Sequence, residues 1–84
     1  MSRAEELRSG CAAVIDATGL NCPLPLLKTK KALAGLKMGE RVYMTATAAQ
    51  SLRDLEAYAK EARHALLCAE ERDGVFHFVI EKAR

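Results

Sequence analysis

Residues 12–47 read AAVIDATGLNCPLPLLKTKKALAGLKMGERVYMTAT, and this stretch decides the fold. Its first six residues, Ala12 to Ala17, form a short apolar run of strand character. The run stops at Thr18-Gly19-Leu20-Asn21, a loop whose glycine is free to take a positive φ. From Cys22 to Leu36 the period changes. Leu26, Thr29, Leu33 and Leu36 recur at i, i+3, i+7 and i+10, the spacing of one buried helical stripe. Lys28, Lys30 and Lys31 fall off that stripe and face water. Pro23 suits the first helical position, where its missing N–H costs nothing, and this places Cys22 at or beside the N-cap. Gly35 and Gly39 bracket the helix end, with Lys37 near its negative pole. Val42, Met44 and Ala46 then alternate with Tyr43, Thr45 and Thr47, which is strand periodicity.

Downstream the same grammar repeats. Ser51-Leu52-Arg53-Asp54 resembles a capping box with Asp54 in place of the usual Glu. Leu52, Leu55, Ala59 and Ala62 form a second helical stripe running to about Arg63. Residues 65–71 read as a third strand, Arg72-Asp73-Gly74 as hairpin chemistry, and residues 75–82 as a fourth strand with Phe76, Phe78 and Ile80 on one face. The order β-α-β-α-β-β implies an α/β two-layer sandwich, with a mixed four-stranded sheet and two helices on one face. Right-handed β-α-β crossovers favour parallel neighbours in both units and put both helices on that same face. The opposite face, carrying Val14, Tyr43, Thr45, Cys68, His77 and Val79, is expected to be a solvated surface of mixed polarity.

The chain has 84 residues, 50% of them apolar, enough for one small folded domain. Upstream of it, residues 1–11 read as a flexible N-terminal extension, with residues 12–84 as the domain. The first ten residues carry charges of both signs and no apolar h-region, so no secretory signal is expected, and no run approaches a membrane span. Thirteen Lys and Arg against 11 Asp and Glu leave a net charge of +2, which excludes a polybasic arm or an acidic tail. Three cysteines in a chain expected in the cytoplasm argue against a disulfide framework.

The segment Gly19-Leu20-Asn21-Cys22-Pro23-Leu24-Pro25 is where chemistry is expected. A helix N-terminus favours a thiolate. Pro23 and Pro25 remove two of the first three N–H donors, however, and of the usual pair only the Leu24 amide remains. Cys22 is therefore expected to titrate moderately below the thiol reference of ~8.5. Position +3 is Pro25, so the C-x-x-C pair of a disulfide oxidoreductase is absent and there is no local resolving thiol. A lone exposed thiolate suits one covalent passenger. Sulfur fits, because a persulfide is more acidic than its parent thiol and stays anionic at neutral pH. The reading requires the Cys22 sulfur to stand at the surface.

The run Asp16-Ala17-Thr18-Gly19-Leu20-Asn21-Cys22-Pro23-Leu24-Pro25, continued by Leu26-Leu27-Lys28-Thr29-Lys30-Lys31-Ala32-Leu33, resembles the TusA-like (SirA-like) sulfur-carrier family. The likeness extends through Gly39-Glu40, Ala46-Thr47, Ser51, Asp54, His64 and Phe78-Val79-Ile80 to Lys82, over roughly residues 13–82. The resemblance implies a small protein that holds sulfane sulfur as a persulfide on Cys22. It would relay that sulfur between proteins, toward tRNA thiolation, cofactor maturation or sulfur oxidation, with no metal or organic cofactor. Its partners would be a sulfur donor, such as a cysteine desulfurase or a rhodanese, and an acceptor protein. Gly19, Leu20, Asn21, Pro23 and Pro25 would shape the site, and Lys28 and Lys31 would meet partners. The chain departs from its relatives in two places: Ala48-Ala49 follow Thr47 where many have Asp-Pro, and Arg63 precedes His64 where many have Gly.

The alternative is a non-enzymatic regulatory or protein-interaction module of the same fold. Residues 1–42 hold seven Lys and Arg against four acids, and residues 43–84 hold six against seven. That asymmetry suits steering of acidic partners. With two Tyr, two Phe and no Trp, direct RNA base stacking is poorly supported. Cys68, four residues after His64, matches no zinc spacing even with Cys11, Cys22 and His77 added, and reads as a small strand residue. Cys11 reads as an incidental exposed thiol, His64 as a helix-end side chain, and His77 as solvent-facing. Asp16 reads as a brace for the Thr18-Gly19 loop.

Overall fold

A computed structural model describes residues 10–83. Residues 1–9, which fall in the expected N-terminal extension, lie outside the described residues. Strand β1 spans Ala13–Ala17, helix α1 Leu24–Ala34, β2 Arg41–Ala46, α2 Ser51–Ala62, β3 Ala65–Arg72 and β4 Val75–Glu81. The expected element order holds throughout. Thr29 and Leu33 are buried on α1, with Leu26 and Leu36 half-buried against the core. On α2 the buried side chains are Leu55 and Ala59, with Ser51 at its start. Thr29 sits in an apolar stripe because its hydroxyl donates to the Pro25 carbonyl at 3.0 Å, which satisfies a group that burial would otherwise penalise. Asp73 and Gly74 both take positive φ, 52° and 82°, as a two-residue hairpin turn of type I′ requires.

The strand order is β1-β2-β4-β3. β1 and β2 are parallel, with Asp16 opposite Thr45. β4 runs antiparallel to both of its neighbours, β2 and β3. The second crossover therefore does not make neighbours of its strands: β2 and β3 are parallel, but β4 lies between them. The reason is visible in β4 itself. Phe78, Val79 and Ile80 are all buried, so this strand is apolar on both faces and takes a central place. Both helices cover one face, over two joined clusters. One is built on Met44, Leu55 and Phe78, the other on Leu33, Val42, Ala59 and Ile80.

The other face differs from its expected solvated character. Val14 is exposed, but Tyr43 is 3% and Val79 0% accessible, and they form a cluster with Cys68. Half-buried Cys11 and Leu67 pack against it. A register irregularity between Leu66 and Cys68 brings Leu67 to this side, as a bulge does. Cys11 is thus not an incidental exposed thiol, and burial pushes its pKa up, partly offset by the Arg41 charge. His77 is half-buried, its Nδ1 2.6 Å from the Tyr43 hydroxyl, rather than facing open solvent.

Candidate functional site

Because β1 and β2 are parallel, the loops leaving their C-terminal ends emerge side by side. Each feeds a helix start on the same layer. The β1–α1 loop carries Gly19 to Pro23, and the β2–α2 loop carries Thr47 to Gln50. Ligand chemistry in open α/β sheets collects at this carboxyl edge.

The first loop is built from short-range bonds. The Asp16 carboxylate accepts from the Thr18 amide at 3.0 Å and from the Thr18 hydroxyl at 2.6 Å, an Asx turn. These two bonds hold Asp16 below the usual carboxylate range, with the Thr45 hydroxyl adding at 3.5 Å. The bracing role expected of Asp16 is therefore present. Gly19 has φ +80°, a region costly for residues with a Cβ, and its amide donates to the Thr47 hydroxyl at 2.8 Å. Thr47 thereby ties the two loops together. Leu20 packs on the core cluster, so it anchors the loop, while Asn21 is exposed.

Cys22 is exposed, as the sulfur chemistry requires. The Cys22–Pro23 peptide bond is cis. The helix begins one residue later than expected: Pro23 is the N-cap, Leu24 opens α1, and no side chain caps it. Pro25 is buried in the first turn, which fixes the helix start against the core. The Leu24 amide, the donor expected to remain for Cys22, instead donates to the Asn21 carbonyl at 2.8 Å.

The thiol meets a carboxylate. Cys22 Sγ donates to Asp54 Oδ2 at 3.0 Å, across 32 residues of sequence. That hydrogen bond, then local desolvation, then the Asp54 charge push the Cys22 pKa up. The expectation of a depressed value is therefore corrected. Pro23 and Pro25 carry no N–H, the Leu24 amide is already used, and an acceptor that stabilises the protonated form stands beside the thiol. The capping box at Ser51 is corrected by the same contact. Gln50 is the N-cap, no side chain caps α2, and Ser51 lies inside the first turn, its buried Oγ without a hydrogen-bond partner. Asp54 points to Cys22 instead of back to its own helix end.

Lys28 and Lys31 stand along α1 beyond the sulfur. With Ile15, Ala32, Gly35 and Leu36 they line a groove between α1 and β1. Leu24 and Leu27, 45% and 50% exposed, continue the same side of the helix toward Cys22 at i, i+3, i+4 and i+7 spacing. His64 lies beyond the other end of α2, about 15 Å from Asp54 along the helix. Its Nδ1 accepts from the Ala83 amide at 3.1 Å, a structural contact rather than a part of this site.

Comparison with known proteins matches the same boundaries. The sequence model of the sulfurtransferase TusA family matches residues 13–82. The chain belongs to the TusA family. The sulfur carrier protein TusA of Allochromatium vinosum is 42% identical over 69 residues, covering 82% of this chain and 91% of that protein. A putative sulfur carrier protein of Neisseria meningitidis is 45% identical over 67 residues, covering 80% and 90%. The crystal structure of a SirA-like protein from Desulfitobacterium hafniense superposes with a TM-score of 0.76 at 31% identity, covering 86% of this chain and 99% of that one. The TusA architecture thus accounts for the two helices on one face and the mixed sheet. Among the described residues no helix is long and apolar enough to cross a membrane.

Proposed function

We propose that this protein is a sulfur carrier that takes up sulfane sulfur as a persulfide on Cys22 and relays it to an acceptor protein. The observation that carries the reading is the placement of an exposed Cys22 in the C-P-x-P turn, at the carboxyl edge of a TusA fold. Loading is a nucleophilic exchange. The Cys22 sulfur attacks the outer sulfur of a donor persulfide, a new S–S bond forms, and the donor's S–S bond breaks. The donor leaves as a thiol that takes the proton Cys22 gave up. No net oxidant or reductant is consumed.

Gly19, Leu20, Asn21, Pro23 and Pro25 hold the sulfur at a fixed exit angle. Leu24, Leu27, Lys28 and Lys31 form the adjoining partner surface, apolar near the sulfur and basic farther along. That pattern suits an acidic surface on a persulfidated donor, such as a cysteine desulfurase or a rhodanese, and on the acceptor. A reducing cytoplasm fits the three free cysteines.

Mass spectrometry after incubation with a persulfidated donor tests the reading. The expected product is one sulfur atom heavier, with the adduct mapped to Cys22 and lost in Cys22→Ser. Absence of an adduct on the unaltered protein, with partner binding retained in Cys22→Ser, favours the interaction module instead.

A further inference from the structure

Asp54 has no capping role, and its carboxylate stands 3.0 Å from the one sulfur proposed to carry cargo. Among the described residues it is the charged group that bears on Cys22. The lysines of the same helix, Lys28 and Lys31, line the groove toward β1. Asp16, from the strand end beside the loop, is engaged by Thr18 and Thr45. We propose that Asp54 is a charge gate for Cys22: it holds the empty sulfur as a thiol and drives the loaded, anionic persulfide outward to the acceptor.

The inference rests on the sulfur-carrier reading and deepens it. Empty Cys22 has a proton to donate, and Asp54 accepts it. The upward pKa shift of Cys22 is the equilibrium face of that bond. On loading, Cys22–SH and a donor perthiolate become Cys22–S–S⁻ and a donor thiol. Asp54 lies within reach to take the Cys22 proton on its way to the donor sulfur. The product has no proton to give back. Two anions now share one corner, and like charges at this range repel. The perthiolate swings clear of Asp54 or passes its outer sulfur on, so the same carboxylate that quiets the empty carrier raises the transfer tendency of the full one. Discharge runs the exchange in reverse: the acceptor thiolate takes the outer sulfur, Cys22 leaves as the thiolate, and it is reprotonated from water.

Asp54→Asn keeps the shape and removes the charge. On the empty protein, the pH profile of Cys22 alkylation is expected to move to lower pH, with the rate at neutral pH rising about two- to fivefold, the range for one exposed charge interaction. On the loaded protein, the equilibrium of sulfur exchange with a small-thiol acceptor is expected to shift toward the loaded carrier by a similar factor, because the full state loses its repulsion and the empty state its hydrogen bond. Asp54→Glu, which retains the charge, is expected to restore both in part. An alkylation profile that is unmoved or moves upward overturns the gate, as does an unchanged exchange equilibrium for the Asp54→Asn carrier. The alkylation arm uses no sulfur donor, so it decides on Asp54 even where loading fails, whereas failure to load the unaltered protein counts against the carrier reading itself.

Discussion

Cys22 and the Cys11–Cys68 pair lie in one small domain, and two different forces restrain them. Burial pushes Cys11 up, and Cys68 is enclosed with Tyr43 and Val79 in a cluster on the sheet face away from the helices. Cys22 is exposed, and a carboxylate pushes it up. The difference decides what each sulfur can do. A buried thiol is quiet because a reagent cannot reach it, and only an opening of the structure changes that. A thiol held by a charge is quiet but reachable, and its state responds to whatever displaces the proton. The second kind of restraint suits a carrier.

The comparison breaks most readily in a labelling experiment. Alkylation of the native protein, mapped by mass spectrometry, is expected to modify Cys22 on the order of a hundredfold or more faster than Cys68, because Cys68 must wait for an opening. The Cys22 rate is expected to climb with pH past the ordinary thiol range, since its raised pKa keeps it protonated longer. Comparable rates at the two sites would mean that the sheet face is open and that burial restrains nothing.

A smaller effect separates the two sulfurs by what their replacement costs. Cys68→Ser puts a hydroxyl among Tyr43, Val79 and Leu67 and is expected to lower stability by about 1–3 kcal/mol. Cys22→Ser, at an exposed site, is expected to stay within about 0.5 kcal/mol while abolishing sulfur loading. Urea unfolding of the two variants checks both. A carrier that loses sulfur loading in Cys68→Ser while remaining folded would place Cys68 in the relay and erase the contrast.

These regions were unequally legible in the amino-acid sequence. The helix stripes, the alternation of Val42, Met44 and Ala46, and the Asp73-Gly74 turn are local signals with a local cause. So is the Gly19–Pro25 segment, where each residue type answers to its own φ or its missing N–H. The site's electrostatics were not legible. Cys22 and Asp54 are 32 residues apart, and the environment of Asp54 within its own helix reads as capping. Only the side-by-side exit of the β1 and β2 loops brings its carboxylate to the thiol. Thr47 escaped notice for the same reason, because its bond to the Gly19 amide crosses between loops. The burial of Tyr43 and Val79 followed from neither period nor composition, since an alternating strand names its two faces but not what covers each. The central place of β4 did leave a trace, the unbroken apolar run Phe78-Val79-Ile80.

The smallest expected effect sharpens the contrast from a distance. Arg63 closes α2 with φ +61°. Its amide donates to the Lys60 carbonyl, and the His64 amide donates to the Ala59 carbonyl at 2.9 Å, a Schellman motif whose left-handed position favours glycine. The backbone at Arg63 thus has a shape that suits glycine, held here at a conformational cost. Arg63→Gly relieves the cost of a side chain in this region and gives up more conformational entropy on folding, for a net gain of about 0.5–1 kcal/mol. The residue touches neither sulfur. If Cys68 is reached only when the domain opens as a whole, its labelling should slow by the same free energy, about two- to fivefold, while Cys22 labels at its original rate. Slowing at Cys22 as well would show that its reagent also waits for an opening, and that a carboxylate alone is not what restrains it.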